Sequence, residues 1–500
     1  MFERVRHHGR LAAVFALLLT MTAPARAEEL HHGGPSEDRM DLVMISEGFT
    51  AGERDRFIRD TDDILKALKT LEPWKSYINC FNVHRAFLPA RASGLGDATK
   101  TRYGTYRVGR STTIKAKDMA GIVRDAQDHA TEADFVLVVV NDRLRGGTAS
   151  GMVGFVANYG WYNWIAVHEL GHVVADLADE YVKPERLAHV IDPLRRANPG
   201  NPDRAVETFL KAYLGRKPNV SAFAERSRLP WADWIQPGTP LPTRDTGAWS
   251  TVGAFEGGYY LRKFVYRARL GCRMNVSERG LFCEACRQAL VLSFHEQSRP
   301  SRLVVSRRGS SARVSVVTAL PKALVTWSDG RETDRRVRDF DLRREAGRSI
   351  TVTVRDTMGW VRGEAHRATL VQTLRVTLPG PPASPSEPAT PQPSPEPTPS
   401  VTTPTPTVTT PTPTVTTPTP TVTRGRVTGV STRLRVRLAP GTSSPIMDHL
   451  QPGELVEVLG EPVPGWLRVR FRGRTGYTSK RYVKVVSGPG LGAPLRSTGD

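Results

Sequence analysis

Short unbroken apolar runs alternate with charged, amphipathic segments over residues 28–300. Residues 41–45 read Asp-Leu-Val-Met-Ile and 135–140 read Phe-Val-Leu-Val-Val-Val. Runs this short and this rich in β-branched residues predict buried strands. Residues 81–88 predict another. Between them, residues 52–71 are charged, with Phe57, Ile58, Ile64, Leu65 and Leu68 near helical spacing, and 118–129 predict a second helix. Strands and helices in alternation argue for an α/β (α+β) domain with helices packed on a sheet.

The pattern changes at about residue 301. Five short β-rich runs, at 302–306, 313–317, 323–327, 350–354 and 373–377, are separated by turn signals and predict a small β-sandwich over 301–378. Residues 379–425 have no apolar core. Val-Thr-Thr-Pro-Thr-Pro-Thr recurs at 401, 408 and 415, and this Pro/Thr stretch predicts an extended, disordered linker. Residues 426–486 predict a small β-barrel, with strand-like runs at 434–436, 455–459 and 466–471 between glycines, and 487–500 a frayed tail.

The N-terminal segment has a different role. Arg4, Arg6 and Arg10 precede an apolar run at 11–19, and Ala25-Arg-Ala27 is a small-x-small cleavage site. That order predicts a signal peptide over 1–27 and a secreted chain, extracellular or associated with the cell envelope. No apolar stretch approaches the length needed to span a bilayer, which argues against an integral membrane protein. The chain carries 70 Lys+Arg against 50 Asp+Glu, a net charge of +20. The excess is +8 in 301–378 and +8 in 424–486 but only +3 in 28–300, so it belongs to the accessory modules. It suits an anionic envelope polymer, and with no nucleic-acid motif beside it a nucleic-acid partner is not expected.

Residues 168–172 read His-Glu-Leu-Gly-His. Side chains four apart share a helical face, so His168 and His172 can reach one ion. Glu169 sits one step round, where a general base can take a proton from a water activated by that ion. Zinc needs a third protein ligand. Were the helix to run on, Asp179 would be carried about 10 Å beyond His172 at ~1.5 Å rise per residue, so the chain must turn back after residues 175–177. Asp179 is the expected third ligand, with Glu180 and Asp176 as alternatives.

These residues, with the motifs at 42–50, 81–83, 177–181, 218–220, 255–257 and 272–274, resemble the IgA-peptidase family of secreted bacterial zinc metallopeptidases over about residues 39–297. The resemblance implies a metzincin-like fold, one catalytic Zn2+, a protein or peptide substrate, and a Met-turn at Met274. The usual metzincin spacing would place Gly and a ligand at what are here Ala175 and Ala178; the acid comes one residue later. In such folds an edge strand, here within Gly146–Val156, pairs with substrate. Tyr266 is a candidate to donate a hydrogen bond to the tetrahedral oxyanion. Cys283-Glu-Ala-Cys286 is a redox-like or metal-like pair without a second pair; with Cys80 and Cys272 the count is four, and in an exported chain disulfides are expected. The last module resembles bacterial Src-homology-3-like domains, which bind peptidoglycan or peptide, with Arg435 in place of a common Asn. The competing function is a degenerate peptidase scaffold acting as a wall-tethered binding protein.

Overall fold

The computed structural model describes residues 27–380 and 424–486, apart from 96–100, 110, 131–132, 216, 248, 276–279, 329–331, 334, 429–433, 438–445, 451–452, 464 and 472–473. The expected signal peptide, most of the expected Pro/Thr linker and the expected tail lie outside the described residues.

The first domain is built on a six-stranded sheet. Its strands are β1 (Glu28–His31), β2 (Met40–Glu47), β3 (Phe81–Ala86), β4 (Ala133–Val140), β5 (Gly147–Ser150) and β6 (Val153–Ala157), in the order β1-β3-β2-β4-β6-β5. β2 runs parallel to β3 and β4, β4 parallel to β6, and the two outer strands are antiparallel. The unbroken apolar runs of β2 and β4 follow from this position, because a central parallel strand is covered on both faces. Alternate residues divide between two cores. Leu42, Met44, Phe135, Leu137 and Val139 face one; Val43, Ile45, Val136, Val138 and Val140 face the other.

The first core is covered by α1 (Arg54–Leu68), through Phe57, Ile64 and Leu68, and by α3 (Tyr162–Ala175). The second is covered by α2 (Met119–His129), through Ile122 and Ala126, whose N-cap Asp118 accepts from Gly121 N at 2.7 Å. The capping box of Thr50 and Glu53 starts the turn before α1, with Thr50 N to Glu53 Oε2 at 2.8 Å. A hairpin of β7 (Phe255–Gly258) and β8 (Leu261–Arg267) and the helix α4 (Glu284–Gln297) complete the domain. Mixed helices and sheets were expected, and this is what the chain forms.

Residues 301–378 form a three-stranded and a four-stranded antiparallel sheet. The five expected strands are present, joined by Val337–Asp341 and Glu332–Thr333. This unit shares one continuous apolar core with the first domain. Asp356 accepts from Tyr77 Oη and stands 3.0 Å from His295 Nε2, and Arg362 lies 4.2 Å from the Trp234 ring. Residue 300 is thus a change of architecture rather than a gap in packing.

Residues 424–486 form an all-antiparallel seven-stranded sheet around Val427, Leu434, Val436, Leu467, Val469 and Phe471. It docks on the first domain through its own arginines. Arg435 Nη2 donates to Ser36 O at 2.7 Å and Arg39 O at 2.8 Å, its Nη1 pairs with Asp134, and Arg437 Nη2 is 3.1 Å from Asp134 Oδ1. Stripping one side from a buried ion pair costs about 3–5 kcal/mol. Arg435→Ala/Arg437→Ala is therefore expected to free the barrel, with a larger radius of gyration in small-angle scattering and unchanged thermal unfolding of the first domain. No helix among the described residues is long and apolar enough to cross a membrane.

Candidate active site

α3 is mostly buried because its own residues around the histidines are apolar: Ile165, Ala166, Val167, Leu170, Val173 and Val174. It stops where it must. Asp176 takes a left-handed conformation (φ 52°, ψ 31°), with its N–H bonded back to His172 O at 3.0 Å, and the chain reverses. The reversed segment is pinned from several directions. Asn219 brackets Ala178, accepting from its N–H and donating to its carbonyl, both at 2.8 Å. Glu180 N donates to Met274 O at 2.8 Å, and Tyr259 N donates to Asp179 O at 2.9 Å.

The result is a compact donor set. His168 Nε2 and His172 Nε2 are 3.2 Å apart, and Asp179 Oδ1 is 2.9 Å from the first and 3.3 Å from the second. Each imidazole is oriented from behind: His168 Nδ1 meets Arg273 O at 3.0 Å and His172 Nδ1 meets Leu177 O at 2.6 Å. An Nδ1–H donated to a carbonyl leaves the Nε2 lone pair aimed forward, which is how metal-binding histidines are held. The three atoms form one triangular face, with edges near the ~3.4 Å expected for tetrahedral zinc with bonds of ~2.0–2.2 Å. The donors fit the ion. Tyr260 Oη donates to the other oxygen of Asp179.

Glu169 is buried beside this face, and its Oε2 has no hydrogen-bond partner. Burial raises its carboxyl above the ordinary range. Burial would pull His172 down, but the Asp179 carboxylate overrides it and lifts the imidazole to about 9, while Asp179 itself is held well below its usual value. A metal must displace the His172 proton, so the sign is clear: metal affinity is expected to rise with pH, by about tenfold per unit, until it levels above about 9. Competition against a chromophoric chelator across pH reads this directly.

The other expected residues divide. Asp176 is exposed and paired with Lys217 at 2.6 Å, so it is no ligand in this geometry. Glu180 points away from the histidines, toward three cysteines. Met274 is fully buried beneath the helix; a Cβ on Gly171 would stand 3.2 Å from its Sδ. Tyr266 is corrected: it lies in β8, opposite Ser221 and Glu256, and is not among the residues lining the cleft. Its ring packs against the first apolar core, a long-range contact that the sequence does not reveal. Tyr181, Tyr260 and Arg186 line the cleft instead. The disulfide expectation is also corrected. All four cysteines are buried thiols, with the Sγ atoms of Cys272 and Cys286 3.6 Å apart.

The cleft encloses about 910 Å³ and runs along the edge strand β5. Gly147 is forced by that approach, because a Cβ there would sit 2.4 Å from Glu169 Oε1 and 2.7 Å from Ile165 Cγ2. Gly147→Ala is expected to displace Glu169, lowering peptide hydrolysis by about 10²-fold while metal content stays unchanged. Parallel turnover and metal assays separate the two.

The family model described as IgA Peptidase M64 matches residues 28–247. That segment is similar to M64 peptidases over 220 of the 500 residues. A second model, bacterial SH3 domain, matches residues 432–484. Comparison with curated proteins gave no match. The M64 match contains His168, Glu169, His172 and Asp179, and it ends before Met274 and the cysteine cluster, although the motifs quoted above run further. The match supports a peptidase, and peptidases of the matched family are metallopeptidases.

Proposed function

We propose that the protein is a secreted zinc endopeptidase that hydrolyses peptide bonds of protein substrates. The observation that carries this reading is the triangular face of His168 Nε2, His172 Nε2 and Asp179 Oδ1 beside the unpaired, buried carboxylate of Glu169. These three residues would hold the ion, which when bound would polarise the scissile carbonyl and acidify a water. Glu169 takes the proton from that water on its carboxylate and passes it to the leaving amine nitrogen. The extended substrate adds to the sheet along β5, whose outer edge borders the cleft. Tyr181 and Arg186, which line the cleft, are the candidate donors to the oxyanion. The antiparallel edge strand, the buried Met274 turn and the metal-type helix favour a metzincin-like assignment of the fold.

Residues 1–27 would direct export, and the basic bacterial SH3 module would hold the enzyme near peptidoglycan or another anionic envelope polymer. The full chain, incubated with casein, should cleave it and lose activity on treatment with a chelator, with zinc restoring it. A chain that binds zinc at this site but cleaves neither casein nor a peptide library would instead be the wall-tethered binding protein.

A further inference from the structure

Four buried side chains that the peptidase reaction does not use meet on the far side of the Asp179-Glu180 segment. The ligand atoms of Glu180, Cys272, Cys283 and Cys286 all lie within 4.8 Å of one another. Cys272 Sγ and Cys286 Sγ are 3.6 Å apart, and Glu180 Oε1 is 3.1 Å from Cys286 Sγ and 3.9 Å from Cys283 Sγ. A disulfide would need ~2.05 Å. A tetrahedron with Zn–S bonds of ~2.3 Å and a Zn–O bond of ~2.1 Å has edges of about 3.6–3.8 Å. The measured spacings bracket that value.

We propose that Cys272, Cys283, Cys286 and Glu180 hold a second, structural metal ion, a thiophilic divalent cation of which zinc is the type.

An independent observation points to a cation. Glu180 is fully buried, and its Oε2 has no hydrogen-bond partner. Its Oε1 takes a bond from Asn219 Nδ2 at 3.0 Å, while Arg267, the nearby cation, reaches only the backbone carbonyl of Glu180, at 3.3 Å. A buried carboxylate oxygen left open is costly unless a charge meets it. The thiols are also well placed. Cys283 is the N-cap of α4 and Cys286 lies in its first turn, so one helix end carries both sulfurs to the Glu180 carboxylate. All four positions are protein ligands, leaving none for water, which marks a structural rather than a catalytic site. Binding releases the thiol protons to solvent.

The ion would join three segments that support the first site. Glu180 follows Asp179; Cys272 precedes Arg273, whose carbonyl orients His168; and α4 carries Ser293 and Gln297, which donate to Val174 O at 2.5 and 3.0 Å. The second ion would thus position Asp179 and the Met274 turn without touching substrate.

The test uses the full chain, purified without reductant and dialysed against zinc or cobalt, with metal measured by mass spectrometry. The wild type should carry two ions per chain and His168→Ala/His172→Ala one. Cobalt in that double variant should give the intense near-ultraviolet thiolate-to-metal absorbance, and Cys272→Ser added to it should abolish the band. In denaturant with chelator, all four cysteines should react with a thiol reagent. Two reactive thiols in place of four, or a double variant that holds no metal and shows no thiolate band, overturns the proposal. Failure of the peptidase reading is distinct: the wild type would then hold no more metal than the double variant. Because the cysteines are intact in the double variant, a poorly folding serine variant does not decide the outcome.

Discussion

Glu169→Gln is expected to keep its metal and lose about 10²–10⁴-fold in peptide hydrolysis, the contribution of a positioned general base. The substitution preserves shape and leaves the three donor atoms untouched. It removes only the ability to take and return a proton. The site explains why nothing nearby substitutes. Glu169 is held between the helix and Gly147, with Oε2 unpaired, and its carboxyl is raised by burial, toward the range where a base is effective at neutral pH. Metal content measured beside turnover is the check; a Gln variant with full turnover would remove Glu169 from the mechanism.

Asp179→Ala should weaken zinc binding at the histidine site by at least about tenfold, the scale on which even an outer partner of a metal site acts. Two effects add. The site loses one of its three donors, and the anion that lifts His172 to about 9 disappears, so burial is left to pull the imidazole down. The pH dependence of binding therefore moves to lower pH as the affinity falls. Asp176→Ala should change little, because that side chain is exposed on Lys217. Glu180→Gln should weaken the histidine site less than Asp179→Ala, because Glu180 faces the cysteines and acts on Asp179 only through the segment they share. Chelator competition on the three variants ranks them, and a loss in Asp176→Ala equal to that in Asp179→Ala would show that the ligand assignment is wrong.

The elements that carry the site were legible in the chain itself. The runs at 41–45 and 135–140 became β2 and β4, and the charged segment at 52–71 became α1, because burial on two faces or one leaves its period in the residues. His168, Glu169 and His172 follow from helix geometry, which is local. So does the need for the chain to reverse near residue 176, a matter of rise per residue. That Asp179 rather than Asp176 or Glu180 meets the histidines was decided by contacts from afar. Asn219 holds Ala178, Tyr260 holds Asp179, and Met274 holds Glu180. Partners tens of residues away leave no spacing signal in the segment they pin. The same reason separates Tyr266 from the cleft and gathers Cys272, Cys283 and Cys286 on Glu180: a count of four cysteines suggested pairing, but only the packing of α4 against the Met274 turn brought three thiols and a carboxylate to one point. Arg435 follows the same rule, a residue of the barrel whose partners, Asp134 and the carbonyls of Ser36 and Arg39, lie in another domain. Local periodicity determined the elements and the paired histidines of this protein, while long-range hydrogen bonds and charge determined what meets them.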